Sequence, residues 1–200
     1  MNERFFDLNR EKQDRMINAA LRVFAQNGYR HASTDVIVKE AGISKGLLFH
    51  YFESKLGVYT FVYDYSVRYM TLELKSTVDA KETDVFELVK QSECARMHAM
   101  RGYPYMQQFL NRSMSEDVSE ALLAIEEKRN ILLEAYEAIR SQMDFTSLPK
   151  GMEGEKLYKI LDMTIKGLMT ERFMDASFQP EMLYDEIVEY VDMMKQIVYR

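Results

Sequence analysis

Lys45, His50 and Tyr51 fall within a run of seven residues, and each ends in a group that hydrogen-bonds a phosphate oxygen or the edge of a base. Lys45 can reach either a phosphate or a guanine. Phe49, between them, offers only an apolar contact such as one with a thymine methyl, or else belongs to the core at the helix boundary. Thr34 and Lys55 stand where helices are expected to begin, and free backbone N–H groups there favour a phosphate. Ser44 is placed to cap a helix, and Gly46 lets backbone approach a neighbouring surface closely. These eight residues are the candidate DNA contacts.

Two short helices and a tight turn must position them. In STDVIVKEAGISKGLLFHYFESK, residues 33–55, Ser33 or Thr34 can cap a first helix whose Val36, Ile37 and Ala41 face inward. Gly42 supplies the left-handed geometry that ends it, and Ile43 plugs the corner. The second helix buries Leu48 and Phe52, at i and i+4, and shows Lys45, Leu47, Phe49, His50 and Tyr51 to the outside. An earlier amphipathic helix, from about Arg10 to the Asn27-Gly28 cap, places Ile17, Ala20, Leu21 and Phe24 on one face to brace the pair.

Thr34, Ile37, Ala41-Gly42, Ser44-Lys45-Gly46, Leu48, His50-Tyr51-Phe52 and Lys55 together resemble the helix-turn-helix of the TetR-type repressors. Phe49 departs from that pattern, because the family's usual Tyr has a hydroxyl to direct at a phosphate. The likeness is dense over the first quarter of the chain and architectural beyond it. It implies a dimer with a DNA-binding head, residues 1–54, and a larger ligand-binding and dimerisation domain, residues 55–200.

Composition agrees with that division. With 47% hydrophobic and 29% charged residues the 200-residue chain reads as folded throughout. The net charge of -6 is unevenly spread. Residues 1–60 hold 9 Lys+Arg against 7 Asp+Glu, and residues 61–200 hold 17 against 25, so the acidity lies in the body. A mildly basic head on an acidic body is compatible with DNA binding, which depends on local basic surface. The charged start, MNERFFDLNREK, is expected to be neither signal peptide nor membrane anchor, and no later run is long and apolar enough to span a bilayer. A single Cys94 excludes an intrachain disulfide and suits a reducing cytoplasm.

Helical periodicity continues through the body, giving an all-α chain of about nine helices. A long helix runs from Lys55 to about Lys75, another from Asp84 to Arg101, and a short one to Asn111 after the Gly102-Tyr103-Pro104 break. Ser113 and Glu116 read as a capping box for a helix to about Met143. A loop over 144–154 precedes helices from Glu155 to Ala176 and from Pro180 to Val198. The last two are apolar around roughly half their circumference. That breadth suits either thorough burial or sharing with a second subunit, and Leu161, Ile165, Leu168, Leu183, Ile187, Tyr190, Met194 and Ile197 are the candidate dimer interface.

Thirteen of the 15 Met follow residue 60, and 11 of the 13 Tyr follow residue 54. Thioethers and phenols suit a pocket for a small apolar or aromatic effector, or an irregular helical core. Met70, Cys94, Met97, His98, Tyr103, Tyr105, Met106, Phe109, Met163 and Phe173 are the candidate lining. Cys94 and His98 share a face at i and i+4, but two ligands without a third make no metal site, and no cofactor is expected. Enzyme motifs are absent: there is no HExxH, GxSxG or phosphate-binding glycine loop. The sequence therefore points to a ligand-responsive regulator, most simply a repressor, that binds a near-palindromic double-stranded operator as a homodimer. Control by a protein partner, control without ligand, and a helical interaction module with a vestigial head are the alternatives.

Overall fold

The computed structural model of the chain describes residues 3–175 and 177–199, whose regular structure is entirely helical. A 3-10 turn, Glu3–Asp7, precedes α1 (Arg10–His31), α2 (Thr34–Ala41), α3 (Lys45–Phe52), α4 (Lys55–Thr77), α5 (Val85–Gly102), α6 (Met106–Ser113), α7 (Ser119–Arg140), α8 (Gly154–Arg172) and α9 (Pro180–Val198). The all-α expectation of about nine helices holds among the described residues. Contacts divide the chain into two compact units, Met1–Met70 with Gly102–Leu133 and Thr71–Arg101 with Glu134–Arg200. Packing thus groups α6 and part of α4 and α7 with the helix-turn-helix, whereas the expected head ended at residue 54.

In the first unit Asn9 caps α1 by accepting the Lys12 N–H at 2.9 Å. Gly28 (φ 66°, ψ 177°) does not end this helix as expected; it breaks the helix, which continues to His31. α1 packs against α2 and α6. Buried Phe24, Tyr59 and Phe109 meet edge-on, with ring centroids 5.0 Å apart for Phe24–Tyr59 and 5.5 Å for Tyr59–Phe109. Fully burying each such ring stabilises the unit by roughly 1.5–3 kcal/mol. A second aromatic group seats the N-terminal turn: Phe5 lies 5.4 Å from Phe52 and 4.7 Å from Phe61. Val36, expected inside, is exposed, because only Ile37 and Ala41 of α2 meet the core.

The expected capping box at Ser113 is also corrected. Ser113 closes α6, its hydroxyl donating to the Leu110 carbonyl at 2.6 Å, and α7 begins only at Ser119. Glu116 instead accepts the N–H groups of Asp117 and Val118 ahead of α7 and that of Tyr29 at 2.9 Å.

The core of the second unit joins α5, α8 and α9 through Phe86, Val89, Leu157, Leu161, Leu183 and Ile187. Lys195 of α9 bonds Asp84 and Glu87, and Lys90 of α5 bonds Asp192 at 2.9 Å, tying α5 to α9. α8 ends at Arg172, short of the expected end at Ala176, which lies outside the described residues.

This core corrects the candidate interface. Leu161, Ile165, Leu183 and Ile187 are buried in their own unit, and Leu168 and Met194 pack partly buried against them. Tyr190 and Ile197 alone of the candidates are exposed. The free apolar face lies one helical step away, at Ile160 and Met163 of α8 and Met182, Tyr190, Met193 and Ile197 of α9.

Candidate nucleic-acid interface

The turn between α2 and α3 forms as its residue types dictate. Gly42 sits in the left-handed region (φ 65°, ψ 40°), and the Ile43 N–H reaches back to the Val38 carbonyl at 3.0 Å. Ser44 Oγ then accepts the Leu47 N–H at 3.2 Å and starts α3. Ser33 occupies the capping position of α2 without a side-chain bond. Leu48 and Phe52 are buried as expected.

What remains outside is the candidate reading surface. Ser44, Lys45, Gly46 and His50 are exposed, while Thr34, Phe49 and Tyr51 are half-buried. A Cβ on Gly46 would meet nothing within 4 Å, so this turn of α3 is open to a partner. Tyr51 leans inward, its ring 5.8 Å from that of Phe5, and His50 lies edge-on to it at 5.1 Å. Sequence reading missed Asp35, whose carboxylate holds Lys45 Nζ at 2.8 Å across the turn. Both side chains are at least half exposed, so a phosphate or guanine edge can displace the carboxylate at little cost.

Lys55 is placed differently from the expected phosphate clamp. Its ammonium donates to the carbonyls of Arg30 (3.2 Å) and Ala32 (3.3 Å) and lies 4.7 Å over the Tyr29 ring. It therefore caps the C-terminal end of α1 from the first turn of α4, where the helix dipole favours a cation. The Tyr29 hydroxyl donates to Glu120 at 2.7 Å, and burial followed by that bond pushes its phenol up to about 12. Lys55→Met is expected to lower stability by about 1–2 kcal/mol, from the charge-assisted bonds lost. It should leave the salt dependence of DNA binding unchanged. A salt slope reduced by about one in titrations would instead make Lys55 a phosphate contact.

Residues 16–59 match the family model described as bacterial regulatory proteins, tetR family. The matched span runs from α1 through the turn and α3 into α4. Over that span the chain is similar to the DNA-binding region of TetR-family transcriptional regulators. The chain is 37% identical over 78 residues to the uncharacterized HTH-type transcriptional regulator YuxN of Bacillus subtilis (strain 168), covering 37% of this chain and 26% of that protein. Over most of the chain it is similar to the HTH-type transcriptional regulator SrpR of Pseudomonas putida, at 22% identity across 86% of this chain and 80% of that one. In fold it is similar to a TetR-family regulator from Chloroflexus aurantiacus J-10-FL, with a TM-score of 0.61 and 24% identity over 98% of this chain and 92% of that one. These relatives are named as regulators, not enzymes.

The candidate effector lining is divided between the two units. Met70, Tyr103, Tyr105, Met106 and Phe109 belong to the first unit, where all but half-buried Tyr105 are core. Tyr103 is engaged in a hydrogen-bond chain, donating to Asp14 at 2.8 Å and meeting the Tyr65 hydroxyl at 2.5 Å. Cys94, Met97, His98, Met163 and Phe173 lie in the second unit. There Met163 is exposed, and Cys94 Sγ stands 3.7 Å from His98 Nε2, with Glu73 3.6 Å from the other ring nitrogen. No cluster of three metal-ligating residues occurs among the described residues. A groove of about 430 Å³ in the first unit passes Tyr51, Phe52, Gly57, Phe61 and Lys128 and takes in none of the candidate lining.

Proposed function

We propose that the chain represses transcription as a homodimer, each head laying α3 in a major groove of a near-palindromic operator, with release by a small effector bound in the body. The observation that carries the reading is the Ser44-capped α3, which holds Lys45, Gly46 and His50 outward on a core-anchored turn. One helix per groove sets half-sites about one helical turn or slightly more apart, near 34–36 Å. The exposed apolar face of α8 and α9 supports the dimer. α4 supports effector control, because one continuous helix begins beside α3 and passes residue 70 into the second unit. An effector acts through it only insofar as it prefers the released conformation. Among the described residues no helix is long and apolar enough to cross a membrane, and a DNA target fits a cytoplasmic location.

Footprinting and gel shifts with the Lys45→Ala protein test the reading. Binding should weaken by about 1–3 kcal/mol with relaxed sequence preference if Lys45 reads a base. A salt-sensitive, sequence-independent loss identifies a phosphate contact, and unchanged affinity removes Lys45 from the interface.

A further inference from the structure

We infer that a slot beside Glu93 in the second unit binds the N–H head of a small organic cation, an alkyl- or arylammonium. Glu93 is 4% exposed and lines a cavity of about 30 Å³ with apolar Val89, Met143 and Ile165 and the rings of Tyr136 and Tyr158. One carboxylate oxygen is held by Arg96, three residues on, while the other, Oε2, is buried without a hydrogen-bond partner. A buried acceptor left so costs about 1–3 kcal/mol, and more when charged, which a donor entering the slot would recover.

Charge and shape specify the donor. Facing the slot are the carboxylates of Glu93 and Asp162 and the cations of Arg96 and Arg140. Arg140 is already paired with Glu137 and Glu155, and the partner of Asp162, Lys166, is 69% exposed in solvent. With Arg140 and Asp162 each paired elsewhere, Glu93 faces Arg96 through one oxygen only, and its free Oε2 is the acceptor left for a positively charged N–H head. The tyrosines already receive cations: Arg96 stacks on Tyr136 at 4.7 Å and bonds its hydroxyl at 3.1 Å, and Arg140 lies 5.5 Å over Tyr158. Buried Nε of Arg140, a donor without a partner, offers a place for an oxygen on the same molecule. The present volume admits only a head group or one water. The rest of the ligand must displace half-buried Met143, whose unbranched thioether repacks readily.

As the effector site the slot rests on the ligand-controlled reading above; as a binding site it stands alone. The probe is 2-phenylethylammonium, with neutral 2-phenylethanol as its isostere, titrated calorimetrically against the full chain. Saturable binding is expected for the ammonium and about tenfold weaker binding, a difference of about 1.4 kcal/mol, for the alcohol. Glu93→Gln should abolish the preference. Should that variant fail to fold, Met143→Trp, which closes the slot without touching the carboxylate, should abolish binding. Equal binding of the alcohol, undiminished binding by either folded variant, or no saturable binding because water alone fills the slot would each overturn the inference. An ammonium that binds as expected yet leaves the operator complex intact upholds the site and counts against ligand control through it.

Discussion

Gly57→Ala is expected to be among the most damaging single-methyl changes in the head, costing about 2–4 kcal/mol, at or above the usual range for overpacking. A Cβ on Gly57 would fall on the Phe52 carbonyl, well inside van der Waals contact, and both partners are backbone. The turn cannot relax to make room. The Ser54 N–H is bonded to that same carbonyl at 2.6 Å, around Glu53 held at φ 62°, and Ser54 Oγ accepts the Gly57 N–H at 3.0 Å. Phe52 is fixed in turn by Phe5 and Phe61. Gly46→Ala is the control. Its Cβ meets nothing and sits within a helix, so stability should hold or rise by up to about 1 kcal/mol. DNA affinity should still fall if α3 approaches the groove closely there. Urea midpoints followed by circular dichroism measure the pair, and a Gly57→Ala midpoint equal to the parent's would refute the steric argument.

The second large effect separates two residues of α9 that sequence periodicity treats alike. Ile187→Glu should cost about 3–5 kcal/mol, since it removes a core side chain and buries an unpaired charge. Ile187 is 1% exposed, among Leu161 and Leu183. Ile197→Glu should leave the fold intact and halve the sedimenting mass, because Ile197 is 62% exposed on the face proposed for the second subunit. An Ile197→Glu protein that still sediments as a dimer would remove that face from the interface. An Ile187→Glu protein as stable as the parent would mean the α8–α9 seam is not the core it is taken to be.

The contrast shows what was legible in advance. The helix-turn-helix could be read because its determinants are local: Ser44 caps α3 two turns before Phe52 closes it, and Gly42 needs only its own φ. Breadth of the apolar surface on α9 was legible too, but not which stripe lies inside, since that depends on how α9 packs against α8 and against α5, some eighty residues upstream. The intramolecular partners of Lys55 are hidden for the same reason, Arg30 and Ala32 lying a whole helix-turn-helix upstream. Glu93 carried a signal that was passed over. It stands four residues after Val89 and four before Met97, both buried, with Arg96 three residues on, so a charged pair sits on an apolar helical face.

The division into two packing units has a consequence for how the protein is made. The chain crosses between the units at residues 70/71, 101/102 and 133/134, so neither unit is one uninterrupted stretch. During synthesis the head cannot complete its core when α3 emerges; Phe109, which closes the ring against Phe24 and Tyr59, arrives some fifty residues after Tyr59. A gene fragment cut after residue 54 lacks Tyr59, Phe61 and Phe109 and with them most of the aromatic contacts of α1 and the N-terminal turn. The candidate reading surface is local in sequence, but the aromatic core of its own unit is completed late, from both sides of the chain's midpoint.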